Sequence, residues 1–298
     1  MNTKRNAVFA YGLLVPALLV LAVLLVYPMY LALNASFRKG QTSNFSKINE
    51  LPFTLDNYQN ILTDSAFWHS LWISIQYTFF STAIGFAIGL VTALLLNRNF
   101  RGRRLVRTLI LVPWAIPGVV VSLGFIWILD ASYGIMNAML RSLGIISANI
   151  AWLSNPNYAL WAVILPTAWK GYPFFTLMLL AALQSVPVEL YEAGRVDGAS
   201  KWRLFANITW PGIRPAAVLS LVLNGLWAFR EFDFIYSMTR GGPMGATETL
   251  AVKIYNQAFS FFHQSAAAAL GMLTFLICII SVLTVYPLIK EQFFGGSR

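Results

Sequence analysis

Six stretches of this chain are long and apolar enough to cross a bilayer, at approximately 10–33, 70–96, 108–129, 158–183, 215–239 and 266–289. A transmembrane helix needs about 20 such residues. Composition agrees: 58% of the 298 residues are hydrophobic, 11% are charged, and mean hydropathy is +0.65. Soluble domains run near a quarter charged, so a soluble enzyme, a disordered tail and a disulfide scaffold are excluded. The expected fold is an all-α membrane protein with six transmembrane helices in a single domain over 1–298. The first stretch follows Lys4 and Arg5 as a signal peptide would. It is too long for a signal core and lacks an A-x-A site, so it reads as a retained span.

Basic residues orient the chain. Thirteen lie in the tail 1–9, the loops 97–107 and 184–214, and the tail 290–298; they include Arg98, Arg101, Arg103, Arg104, Arg107, Arg195, Lys201, Arg203 and Arg214. The opposite side holds six: Arg38, Lys39, Lys47, Arg141, Arg240 and Lys253. The first side is therefore expected in the cytoplasm with both termini, and 34–69, 130–157 and 240–265 outside. Arg38 and Lys39 oppose the rule but are outnumbered. The net charge of +10 is thus a topology signal, and no nucleic-acid partner is expected.

Within the spans, Gly85 and Gly89 form a G-x-x-x-G pair that allows close helix approach. Ala266 to Ala269 and Gly271 open the sixth stretch with small residues. Outside the spans, Ile135, Met136, Met139, Leu140 and Leu143 recur at helical spacing. With Asn137, Arg141 and Ser142 elsewhere on the wheel, they predict a short amphipathic helix at the outer surface.

Several chemistries are missing. No G-x-x-x-x-G-K, H-E-x-x-H or G-x-S-x-G occurs, so the chain itself neither cradles ATP phosphates nor carries a recognisable hydrolase site. Cys278 has no second cysteine, and His69 and His263 are far apart. No catalytic residue, metal ligand or cofactor is expected.

The most specific stretch is the loop 184–214. Pro187 suits a first helical turn, and Gly198 suits the left-handed residue that ends a helix. Trp202, Phe205 and Ile208 follow at spacings of three, before Pro211 and Pro215. Two short helices around Gly198 are predicted, with Glu189, Glu192, Arg195 and Asp197 as a mixed-charge surface. This segment resembles the EAA motif of binding-protein-dependent ABC importer permeases, the MetI-like fold. Glu192, Ala193, Gly198, Ile208 and Pro211 match with correct spacing, while Gly194 and Trp210 depart from it. Similar to sugar-type permeases are the run from Phe234 through Gly241-Gly242-Pro243 to Phe259, the spacing Gly134–Asn137–Leu140–Gly144, and the segment Pro52–Tyr58.

The resemblance implies a permease subunit of an ATP-driven importer for a sugar or sugar-like solute, in the bacterial cytoplasmic (inner) membrane. Its implied partners are a second related permease, expected as a heterodimer, two ATP-binding subunits and an extracytoplasmic solute-binding protein. Glu189, Glu192, Ala193, Gly194, Asp197, Gly198, Ala199, Trp202 and Phe205 would then form the ATPase-coupling helix, seated in a groove of the ATPase. A secondary transporter is the alternative, but no internal repeat is present. Charges inside membranes are rare and functional by default. Lys170, Arg230, Glu231 and Asp233 fall at similar depth, and their formal charges sum to zero. They predict either an ion-pair network pinning the fourth and fifth spans, or a solute pathway shared with Trp169, Tyr172, Asn224 and Trp227.

Overall fold

The computed structural model describes residues 14–40 and 50–294, with side-chain surroundings through residue 287. The start of the first stretch and the side chains of Lys4, Arg5, Lys47, Lys290 and Arg298 lie outside what is described. Among the described residues the backbone is helical apart from turns and one isolated bridge between Arg38 and Phe53. In chain order the helices are α1 (Leu14–Ser36), α2 (Asp56–Thr63), α3 (Ser65–Leu96), α4 (Arg103–Ala115) and α5 (Gly118–Ile128). There follow α6 (Ile135–Ser142), α7 (Pro156–Ser185), α8 (Val188–Val196), α9 (Lys201–Phe229), α10 (Asp233–Met238), α11 (Leu250–Tyr255) and α12 (Gln264–Phe294). Five of these, α1, α3, α7, α9 and α12, are long and apolar enough to span a membrane singly, and the bent pair α4 with α5 makes a sixth if the two form one span.

Two expected spans are corrected. The third, expected over 108–129, is two helices, α4 and α5, that meet at 91°. Pro117 forces the preceding Ile116 into extended backbone (φ −75°, ψ 134°), which no α-helix accommodates. The fifth, expected over 215–239, instead runs from Lys201 to Phe229. Pro211 and Pro215 do not stop it. A wide π-type turn over Phe205–Thr209, closed by Trp210 N–H to the Phe205 carbonyl, makes room before Pro211. The helix ends at Phe229, so Arg230 and Glu231 occupy a turn rather than a helical face.

The chain divides into two compact units, Met1–Phe67 with Ile254–Ile277, and Trp68–Lys253 with Cys278–Arg298. In the first, the segment Pro52–Tyr58 closes the end of α1. Asn57 Nδ2 donates to the carbonyls of Ser36 (2.9 Å) and Arg38 (2.8 Å), and Tyr58 OH donates to Ser36 Oγ at 2.6 Å. These bonds satisfy carbonyls that a helix end leaves unpaired. Lys39 and Asp56 pair at 2.7 Å in solvent. Hydrogen bonding and charge hold the Asp56 carboxyl below its ordinary range and raise the Lys39 ammonium.

In the second unit, one core gathers Tyr77, Val163, Ile164, Phe234 and Ile235, and another gathers Leu179, Leu183, Ile213 and Ala217. Gly89 explains how closely α3 and α7 meet. A methyl at Gly89 would lie 2.5 Å from Phe175 Cβ and 3.0 Å from the Tyr172 carbonyl. The short helix α6 forms where its spacing predicts, but Asn137, expected on its polar face, is buried. Its Nδ2 donates to the Ile150 carbonyl (3.0 Å), and its Oδ1 accepts from Ile150 N–H (3.1 Å) and Trp152 Nε1 (3.0 Å). The loop after α6 buries backbone groups that need partners, and Asn137 supplies them.

Gly89→Ala is expected to destabilise the protein by about 1–3 kcal/mol, the usual cost of overpacking. Gly124→Ala should leave stability unchanged or slightly higher, since nothing lies within 4 Å of a methyl there and alanine is the better helix former by about 1 kcal/mol. Thermal unfolding of the two variants in one detergent makes the comparison.

Candidate functional site

Two candidate regions emerge from the second unit. The first is the turn between α8 and α9. Pro187 precedes α8 in extended backbone, and Asp197 N–H closes it onto the Ala193 carbonyl. Gly198 then takes φ +74°, with open space around it. Ala199 N–H reaches back to the Gly194 carbonyl at 2.8 Å, and the Ser200 hydroxyl caps the next helix by accepting from Arg203 N–H at 3.3 Å. Ser200 was legible as a cap by residue type, yet sequence reasoning passed over it.

Gly194 has a packing role that the sequence did not reveal. A methyl there would meet Leu204 Cδ2 at 2.7 Å and Ile208 Cδ1 at 3.4 Å. Leucine and isoleucine from α9 thus fill the space where the motif has alanine. Ile208 and Phe205 are half-buried, whereas Trp202 is 74% exposed and stacks on Phe205 with ring centroids 5.7 Å apart. The expected single apolar face therefore splits: Ile208 turns inward to α8, and Trp202 outward. The π-type turn changes the angular register after Leu204, which is the physical reason. Tyr191 and Thr209 hydroxyls, 3.0 Å apart, tie α8 to that turn.

The outer surface of this turn is mixed. Glu189, Glu192, Arg195 and Asp197 are exposed beside Val188, Leu190 and Val196. Among the described residues, ion pairs form at Lys39–Asp56 and Lys253–Glu248, and none involves these four. Apolar and charged groups unpaired on one protruding edge form a surface suited to another protein.

The second region lies along α7 and α9. A methyl at Gly171 would lie 3.6 Å from Asn224 Nδ2, and Asn224 Oδ1 accepts from Thr82 Oγ1 at 3.2 Å. Trp227, 45% exposed, leans on Phe174 at 5.0 Å, and Trp169 meets the Phe125 edge at 5.8 Å. Tyr172 is half-buried. These aromatic and amide groups follow one another on facing stretches of two helices.

The four charges do not form the expected network. Lys170 Nζ donates to the Trp114 carbonyl at 3.0 Å. The bend after α4 parts that carbonyl from the amide four residues on, its ordinary helical partner. Arg230 Nε donates to the Leu226 carbonyl at 3.3 Å, capping the end of α9, while Glu231 Oε1 accepts from Phe234 N–H at 3.3 Å. Asp233 Oδ2 lies 3.5 Å from the Cβ position at Gly118, the first residue of α5. A carboxylate near a helix start meets favourable charge. Each charge thus serves a broken helix end, which their spacing along the chain could not disclose. Thr82, Trp114 and Gly118 were absent from the sequence-derived set because only tertiary packing brings them here.

The loop after α10 is tightly framed. Thr247 is buried, donates to the Gly242 carbonyl at 2.8 Å and meets Thr239 at 2.6 Å. Ser74 Oγ accepts from Leu250 N–H at 2.9 Å.

The family model described as binding-protein-dependent transport system inner membrane component matches residues 85–291. The chain is 35% identical over 283 residues to the trehalose/maltose transport system permease protein MalF of Thermococcus litoralis, covering 95% of this chain and 93% of that one. It is 35% identical over 279 residues to the sulfoquinovosyl glycerol transport system permease protein SmoG of Agrobacterium fabrum, with coverage of 93% and 89%. In fold it resembles a chain of a bacterial ABC transporter involved in import of the acidic polysaccharide alginate, with TM-score 0.82, 23% identity, and coverage of 97% and 96%. By the family match and by identity across nearly its whole length, this chain belongs to the binding-protein-dependent transport system inner membrane components.

Proposed function

We propose that this chain forms half of the translocation pathway of an ATP-driven importer for a sugar or sugar-like solute. The observation that carries the reading is the turn between α8 and α9, where Glu189, Glu192, Arg195 and Asp197 are exposed beside Val188, Leu190 and Val196. A separate ATPase seated on that edge would bias the inward- and outward-facing states, which is how ATP energy reaches the pathway. Its neighbours in the assembly are a second, non-identical permease, two ATP-binding subunits and an extracytoplasmic solute-binding protein. Names of the relatives, trehalose/maltose and sulfoquinovosyl glycerol transport, support a carbohydrate class. Aromatic faces at Trp169 and Trp227 beside the Asn224 amide suit a sugar, which presents both apolar and hydroxyl surface. Both termini and the α8–α9 turn are cytoplasmic in this reading.

Glu192→Lys and Gly198→Val are expected to abolish solute-stimulated ATP hydrolysis while the protein still inserts. A β-branched residue in left-handed backbone costs roughly 1–2 kcal/mol, enough to re-aim a short helix. Gly194→Ala should retain coupling, because the Leu204 side chain it meets can rotate away. Normal stimulation in the first two variants would remove the coupling role. Trp227→Ala should raise the solute concentration for half-maximal uptake by up to roughly tenfold, given about 0.5–1.5 kcal/mol for an aromatic contact. An unchanged value, measured with the assembled transporter in liposomes, would take Trp227 out of the pathway.

Orientation is tested with single cysteines on a Cys278→Ser background. An impermeant thiol reagent added outside is expected to label a cysteine at Met244 and spare one at Arg101. The opposite pattern reverses the topology.

A further inference from the structure

The short helix α6 has three distinct sides. At about 3.6 residues per turn, Met136, Leu140 and Asn137 share the first, which is half-buried to buried. Met136 packs on the core that holds Val121, Leu129, Ala162 and Val163, so this side rests on residues of α5 and α7 and their junctions. Ala138, Arg141 and Ser142 form the second side, exposed and mostly polar. Ile135, Met139 and Leu143 form the third, exposed and wholly apolar. Gly144, at φ +70°, then ends the helix, with Ile145 N–H returning to the Leu140 carbonyl at 2.9 Å. Ile145 is exposed as well.

A helix at the boundary between protein and water meets two environments and needs two sides. The third side of α6 fits a third environment, and the place of the helix supplies one. α6 precedes α7, whose other end leads into α8, so α6 lies at the end of α7 away from the α8–α9 turn. Exposed aromatic rings mark that end. Trp127 in the last turn of α5 is 71% exposed, and Tyr133, just before α6, is 72% exposed. Tyr158 and Trp161 are exposed in the first two turns of α7. Tryptophan and tyrosine collect where a span leaves hydrocarbon for water. Asn137 ties α6 to this level through Ile150 and Trp152, and the Trp152 ring meets Tyr158 at 5.7 Å.

We propose that α6 lies along the bilayer surface, with Ile135, Met139 and Leu143 seated among lipids at the boundary of headgroups and acyl chains. The apolar side enters by about 5–10 Å, as amphipathic helices at this boundary do. Arg141 and Ser142 stay on the water side. Protein, lipid and water thus each take one of the three sides. Met136 and Asn137 fasten the helix to the bundle, so the loop between α5 and α7 is held at the membrane surface.

The test places single cysteines at Met139, Leu143 and Ser142 on a Cys278→Ser background and labels each with a nitrobenzoxadiazole fluorophore. The assembled transporter is then read in phosphatidylcholine nanodiscs. At Met139 and Leu143, emission is expected to be blue-shifted, quenched by a nitroxide carried on a lipid acyl chain near the headgroup, and protected from aqueous iodide. At Ser142, iodide should quench freely and the lipid nitroxide should not. Leu143 keeps the test decisive where the Met139 variant does not assemble. Equal iodide quenching at the apolar positions and at Ser142 puts the third side in water and overturns the proposal. Protection from both quenchers at Met139 and Leu143 would assign that side to another subunit. Protection that arises only when the solute-binding protein is added would make it a docking surface for that protein. Either result overturns the lipid assignment.

Discussion

A chain in lipid must satisfy its backbone hydrogen bonds from within, and this requirement governs wherever a helix of this protein breaks. Each unbroken span meets it by itself. Each interruption requires a side chain from elsewhere. Lys170 reaches the carbonyl at Trp114 where the third span bends, Arg103 takes the Leu96 carbonyl at the end of α3, and Asn137 holds three backbone and side-chain groups in the loop after α6. These three side chains supply hydrogen bonds that the sequence-local helix cannot.

The same requirement recasts the intramembrane charges. Their formal neutrality suggests mutual pairing, but buried ion pairs return little beyond their desolvation cost. A cation on an orphaned carbonyl, or a carboxylate accepting an amide, needs no second charge to be taken out of water. Lys170, Arg230 and Glu231 follow that course. Asn224 with Trp227 and Trp169 is left as the uncharged part of the same region.

The α8–α9 turn illustrates how a motif tolerates substitution. Gly194 replaces alanine, and Leu204 fills the volume that the missing methyl leaves. The π-type turn at Phe205–Thr209 lets Pro211 sit inside a continuous helix. Soon after Gly198 the chain enters one helix of 29 residues, Lys201 to Phe229, with no intervening loop.

The all-helical class, the apolar stretches and a helix on each side of Gly198 were legible in the sequence, although the second helix, expected to be short, runs on from Lys201 to Phe229. Those features depend on local quantities: the length of apolar runs, the conformational range of glycine and proline, and fixed spacing. Helix limits at α3, α7 and α12 fell within a few residues of the apolar stretches for the same reason. The 91° bend was half legible, since Pro117 was visible while its consequence depended on whether another chain segment could satisfy the freed carbonyl. Tertiary structure alone decided that Lys170 does so, that Asn137 is buried rather than solvent-facing, and that Leu204 occupies the notch at Gly194. Each of these joins residues far apart or on different helices, and which atoms meet there is set by rotation and close approach of helices that no periodicity encodes.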